Sequence, residues 1–121
     1  MRLFDAERKV MELIWAQPGI TAKEIAAALA VSTDWSKTTT YTMITRCMDK
    51  GYLRRENPKF HCYPLISREA VSIWETDELL SNNFAGSTDL LLTALVGQKR
   101  LSAKKLRELA EMVEQMEEQE K

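Results

Sequence analysis

The sequence predicts a mainly α-helical chain with one small β-hairpin: an N-terminal helical unit carrying the hairpin, then a C-terminal helical unit. Three observations lead there. Apolar residues recur at helical spacing through most of the 121 residues. Two short aromatic-bearing runs flank an Asn-Pro turn near the middle. The charge changes sign along the chain: residues 1–69 hold 11 Lys/Arg against 8 Asp/Glu, and residues 70–121 hold 6 against 10. The domain boundary is expected between 1–66 and 67–121.

Asp5 to Gln17 carries Ala6, Val10, Leu13 and Ile14 with Met11 and Trp15 alongside. Asp5 is expected to cap this helix, and Pro18-Gly19 stops it. Thr21-Ala22-Lys23-Glu24 reads as a capping box opening a short second helix, Ala22 to Ala30, with Ile25 and Leu29 on one face. A third helix runs from Ser36 to Lys50, ended by Gly51. Its apolar stripe is Thr40, Met43, Ile44 and Cys47. Tyr52 to Glu56 and Phe60 to Tyr63, around Asn57-Pro58-Lys59, form the hairpin. Three helices followed by a hairpin is the order of a winged helix-turn-helix.

Ser67 opens a helix to about Asn82, Phe84 to Ser87 break it, Ser87 or Thr88 starts another, and Ser102 caps a last one. The tail from Glu117 is polar and is expected to fray. Leu106, Leu109, Val113 and Met116 alternate steps of 3 and 4, the spacing of a seam that meets a partner helix. A unit of about 50 residues buries little alone, and association is a common remedy. Candidate dimerisation residues are these four with Leu79, Leu80, Phe84, Leu91, Leu92 and Leu95.

In a helix-turn-helix the second helix of the motif enters the major groove. With the core stripe fixed, 100° per residue puts Thr38, Thr42, Thr45 and Asp49 on the opposite face, flanked by Tyr41 and Arg46. Thr38, Thr39, Thr40, Thr42 and Thr45 crowd eight residues, although each costs a few tenths of a kcal/mol relative to Ala. Groove contact accounts for them: a hydroxyl bonds a base edge or phosphate, and a methyl packs on a thymine methyl. Lys37 reaches a phosphate, and Arg54, Arg55 and Lys59 on the hairpin suit the backbone or the minor groove. Ser36, Thr39 and Thr21 complete the candidate DNA-binding set. Trp35 reads as a turn and core anchor.

Other chemistry is thin. His61 and Cys62 point to opposite faces of a strand. Two cysteines and one histidine without CxxC spacing make no metal site, so no metal or cofactor is expected. His61 lacks an evident orienter and nucleophile, which argues against an enzyme. No apolar run approaches the roughly 18 residues of a membrane span, and the start has no secretory h-region. A cytoplasmic protein with reduced thiols is expected. Two alternatives to a sequence-reading DNA binder stay open. One is a winged-helix protein-interaction module; the other is a sensor with an apolar ligand between its C-terminal helices.

The string from Trp35 to Arg46, with Lys50-Gly51, resembles the recognition helix of the penicillinase and methicillin-resistance repressor family (BlaI/MecI/CopY type). Glu7, Val10-Met11 and Ile14-Trp15 resemble its first helix, and Phe60 to Pro64 its second wing strand. Gly86-Ser87 and Leu101-Ser102 with Leu106 and Leu109 resemble its dimerisation helices. The resemblance implies a homodimeric bacterial repressor on palindromic operator DNA with TACA/TGTA half-sites, controlling resistance or transport genes. It implies Ser36, Lys37, Thr39, Thr42 and Arg46 as matching contact residues, with Thr38 and Tyr41 where the family varies. There is no cysteine after Cys62, unlike the copper-responsive branch. In the β-lactam branch, a membrane sensor leads to cleavage at an Asn-Phe bond. Here Ala94-Leu95 stands at that position, and an Asn83-Phe84 pair lies about ten residues earlier.

Overall fold

The computed structural model describes residues 2–121. Six helices and one hairpin follow in order: α1 Asp5–Ala16, α2 Ala22–Thr33, α3 Lys37–Asp49, β1 Leu53–Glu56, β2 His61–Pro64, α4 Arg68–Asn83, α5 Thr88–Gly97 and α6 Ala103–Gln119. The chain divides into two compact units, Met1–Glu75 and Thr76–Lys121.

The first unit is a winged helix. The α1 stripe Val10, Met11 and Ile14 meets Ile25 and Leu29 of α2, Ile44 and Cys47 of α3, and Leu53 and Cys62 of the hairpin, all of them buried. The strands pair antiparallel with Leu53 opposite Pro64 and Glu56 opposite His61. The free edge of β2 is sewn to the α1–α2 connection. Gly19 N–H donates to Cys62 O at 2.8 Å, Cys62 N–H to Ile20 O at 2.8 Å, and Ala22 N–H to Phe60 O at 3.0 Å. His61 Nδ1 donates to Gly19 O at 2.7 Å, which fixes its tautomer and explains a lone histidine without catalysis. Cys62 is buried on the opposite face. Gly19 has φ +93°, and a Cβ there would meet the Tyr63 hydroxyl at 3.2 Å, so the turn needs glycine.

Several local expectations change. Asp5 does not cap α1: Phe4 is the cap residue, and the Glu7 carboxylate reaches back to accept the Phe4 N–H at 2.9 Å. Thr21 does cap α2, accepting the Glu24 N–H at 3.1 Å, but Glu24 returns to the Thr21 hydroxyl rather than to its amide. α2 runs to Thr33 instead of Ala30, because Asp34 takes a left-handed conformation (φ 59°) and ends the helix there. Glu117 to Gln119 are helical, so α6 continues into the expected tail. α3 ends in a Schellman motif: Tyr52 N–H donates to Cys47 O at 2.9 Å across Gly51, whose φ is +79°.

The first half of α4 packs on the winged helix, carrying this unit past residue 66. Val71 is buried in its core. Trp15 Nε1 donates to Ile66 O at 2.9 Å, Arg68 pairs with Glu12 at 2.6 Å, and Arg8 pairs with Glu75.

The second unit comprises the end of α4 with α5 and α6. Ser87 and Ser102 cap α5 and α6 through their hydroxyls, accepting Leu90 N–H at 3.2 Å and Lys105 N–H at 3.0 Å. Neither α5 nor α6 buries a residue.

Candidate nucleic-acid interface

α3 is presented by its caps and by one ion pair to a buried carboxylate. Ser36 Oγ accepts the Thr39 N–H at 3.1 Å and donates to Thr39 Oγ1 at 3.0 Å, closing the N-terminus. At the other end Lys50 Nζ lies 2.6 Å from Glu7 Oε2. Glu7 is fully buried on α1, and its other oxygen holds the Phe4 amide. The carboxylate therefore ties the α3 C-terminus to the α1 N-terminus. The sequence reading did not assign this pair. Its signal was available, since Glu7 continues the Val10/Met11/Ile14 stripe inward and an acid there needs a partner.

The face of α3 turned away from the core brings together Lys37, Thr38, Tyr41, Thr42, Thr45, Arg46 and Asp49 around one open depression. Six of these seven stood in the predicted set, and Asp49 was placed on the same face. Thr42 Oγ1 donates to Thr38 O one turn back at 2.9 Å. Its hydroxyl proton is thus held within the helix, while lone pairs and a methyl group stay outward. Thr39 is half-buried beside Ser36. Thr21 stands apart: it is nearly buried, and its hydroxyl is occupied by the cap. Trp35 packs partly against the core.

The wing adds its cations unevenly, because strand residues alternate faces. Arg55 Cζ lies 3.9 Å over the Phe60 ring, and Phe60 meets Tyr41 of α3 edge to face, with centroids 6.0 Å apart and planes at 86°. Arg55 therefore belongs to the α3 side. Arg54 turns the other way, stacked 4.4 Å over Tyr63 and paired with Glu56 at 2.9 Å. Lys59 is exposed at the tip, with φ 72°.

Both thiols are free and buried. Cys47 is pushed up to about 12 by burial, with the Glu7 carboxylate adding to it, and Cys62 to about 11 by burial. No group of three or more His, Cys, Asp or Glu suited to a metal ion occurs among the described residues. Among them, no helix is long and apolar enough to cross a membrane.

A model of the penicillinase repressor family matches residues 3–115. The chain belongs to the penicillinase repressor family. It is 27% identical over 106 residues to the methicillin resistance regulatory protein MecI of Mammaliicoccus sciuri, covering 86% of both chains, and equally so to MecI of Staphylococcus aureus (strain N315). Two solved structures share the winged helix. One is the DNA binding domain of the repressor BlaI, with TM-score 0.51 and 32% identity, over 55% of this chain and 84% of that one. The other is monomeric Bacillus licheniformis BlaI in complex with the blaP half-operator, with TM-score 0.50 and 32% identity, over 57% and 87%. The family and these relatives are repressors or regulatory proteins by name, not enzymes.

Of the predicted dimerisation residues, Leu79, Leu92, Leu106, Val113 and Met116 are exposed. Leu80, Phe84, Leu91, Leu95 and Leu109 are half-buried. Leu90, Val96 and Met112 are exposed as well and were not predicted. They widen the apolar surface beyond the α6 seam.

Proposed function

We propose that the chain is a homodimeric transcriptional repressor that occupies a palindromic operator and so blocks a promoter. The carrying observation is the open α3 face, where Lys37, Thr38, Tyr41, Thr42, Thr45 and Arg46 stand together with the core stripe behind them. The half-operator complex of monomeric Bacillus licheniformis BlaI supports one winged helix per half-site. In this reading Thr38, Thr42 and Thr45 meet base edges, Arg46 reads a base, and Lys37, Thr39, Arg55 and Lys59 grip phosphates, with the Ser36 hydroxyl holding Thr39 in place. Exposed Leu and Met side chains of α5 and α6 support pairing with a second copy. The family likeness supports a cytoplasmic site of action and release through a membrane sensor-protease as parts of the same proposal. The Asn83-Phe84 peptide bond, at the α4 end where Asn83 is exposed, is the one we assign to such cleavage. Replacing Asn83 with Ala then blocks it, and unchanged cutting of that variant excludes the assignment.

The test is fluorescence anisotropy on a labelled TACA/TGTA palindrome and on a scrambled duplex at fixed salt. The expected preference is about a thousandfold or more. Arg46→Ala should weaken the palindrome by at least about 1 kcal/mol and spare the scrambled duplex, whereas Lys59→Ala should mainly lower the salt slope. Equal, weak binding of wild type to both duplexes would instead support a protein-interaction module.

A further inference from the structure

Four side chains form one line across the wing and α3. Lys37 Nζ lies 5.7 Å from the Tyr41 ring centre, Tyr41 meets Phe60 edge to face, and Arg55 covers the Phe60 ring. Arg55 is held at a second point, its Nε donating to Asn57 Oδ1 at 3.0 Å. Phe60 is itself anchored. Its carbonyl accepts the Ala22 N–H at 3.0 Å, its side chain packs against the core, and its φ of 56° follows 72° at Lys59. Two successive non-glycine residues in the left-handed region mark a conformation that the surroundings impose. It aims an aromatic ring at α3 from the hairpin tip. The sequence pattern placed Phe60 only as a strand residue.

We propose that Phe60 is a positioning residue for DNA binding, holding Arg55 preformed beside the recognition face so that Arg55 and Lys37 meet the phosphate backbone as a pair. The inference rests on the DNA-binding reading above. A free arginine loses rotamer freedom when it grips a phosphate; one already stacked and hydrogen-bonded has lost that freedom beforehand. With Nε given to Asn57, no protein group among the described residues engages the two terminal amino groups of Arg55. They are the pair that binds a phosphate end-on. Arg54 is the internal contrast: its guanidinium is spent on Glu56 and Tyr63. The wing thus offers one organised cation from the Arg54-Arg55 pair.

The experiment uses the full chain as wild type, Arg54→Ala, Arg55→Ala, Phe60→Leu, Phe60→Tyr and the Arg55→Ala/Phe60→Leu double variant. Each is titrated onto the labelled TACA/TGTA palindrome and the scrambled duplex at several salt concentrations, with melting curves alongside. Phe60→Leu should weaken both duplexes about threefold. Arg55→Ala should weaken both about tenfold and lower the salt slope by about 1. The double variant should equal Arg55→Ala, Phe60→Tyr should equal wild type, and Arg54→Ala should change little. In the free protein, the Arg55 δ-protons should resonate upfield in wild type and Phe60→Tyr, from the ring beneath them, and lose that shift in Phe60→Leu.

A double variant weakened by the product of the single effects would overturn the proposal, as would Arg55 resonances at ordinary positions in wild type. Should Phe60→Leu melt below the assay temperature, Phe60→Met carries the same cycle. Wild type that binds neither duplex removes the DNA reading and this inference with it; selective wild-type binding with independent Phe60 and Arg55 effects removes this inference alone.

Discussion

The two units of this chain use the same apolar residues to opposite ends. Among the described residues, every buried hydrophobic side chain lies between Leu3 and Val71, within the winged helix and the start of α4. From Thr76 onward none is buried, although α5 carries Leu90, Leu91, Leu92, Leu95 and Val96 and α6 carries Leu106, Leu109, Met112, Val113 and Met116. The first unit closes its own core and can hold a recognition face in place as a single copy. The second leaves leucines and methionines partly in water, so each forgoes a share of the about 1.5–3 kcal/mol that complete burial contributes. A surface of that kind is made to be covered, and the proposed cover is a second copy of the chain.

The largest expected effect comes from uncoupling the second unit. Leu106→Asp combined with Val113→Asp puts two charges on the α6 seam while leaving its serine cap and helical exposure as they are. Sedimentation should then show a monomer with unchanged helicity. Operator affinity should fall by about 10²–10⁴, because two half-sites no longer share one effective concentration. The same drop without dissociation would mean that α6 contributes in some other way. Dissociation without a drop would mean that one winged helix suffices.

Within the first unit, the Glu7–Lys50 pair makes an asymmetric prediction. Glu7 is fully buried, whereas about a third of the Lys50 side chain is exposed. Lys50→Ala strands a buried carboxylate and should cost about 3–5 kcal/mol in urea unfolding. Glu7→Gln leaves an ammonium that can turn to water and an amide oxygen that can still accept the Phe4 N–H. It should cost clearly less. Equal costs would mean that the pair is better solvated than its geometry indicates.

Legibility follows the same divide. In the first unit the α3 face was readable because Thr40, Ile44 and Cys47 are all fully buried, so a single helical wheel fixed what points outward. Caps with one hydroxyl and one amide, at Thr21 and Ser102, were readable for the same reason of short range, whereas the sequence pattern reads Ser36 as the first residue of α3 rather than its cap and does not choose between Ser87 and Thr88 at the start of α5. What escaped depends on distant partners. Phe4 rather than Asp5 caps α1 because Glu7, itself held by Lys50, faces back to it. Phe60 leaves the strand because Ala22 takes its carbonyl. The opposite facing of Arg54 and Arg55 was implicit in strand alternation, yet only the Tyr41–Phe60 contact identifies which side is the α3 side. In the second unit spacing revealed a seam but not its width, since Leu90, Val96 and Met112 lie outside the 3–4 pattern of α6 or on α5.

The smallest effect is confined to alkaline solution and reports on the closed core itself. Cys47 and Cys62 ionise near 9.0 when exposed, but burial raises them to about 12 and about 11 in the folded chain. Tyr52 is raised as well, again by burial first. Below about pH 9 these thiols are protonated in both folded and unfolded chains and leave stability unchanged. Between pH 9 and about 12 the unfolded chain has released its thiol protons while the folded one retains them. The unfolded state then binds fewer protons, and stability must fall as pH rises. Urea midpoints should therefore be flat from pH 7 to 8.5 and decline from pH 9 upward, with a shallower decline in a Cys47→Ala/Cys62→Ala variant whatever its starting stability. The same burial predicts that a disulfide reagent at pH 8 modifies the native chain only as fast as it opens, and both thiols at once in urea. Reaction at the rate of free cysteine in native buffer would show that the core between α3 and the hairpin is open, and the recognition helix it supports would lose its fixed footing.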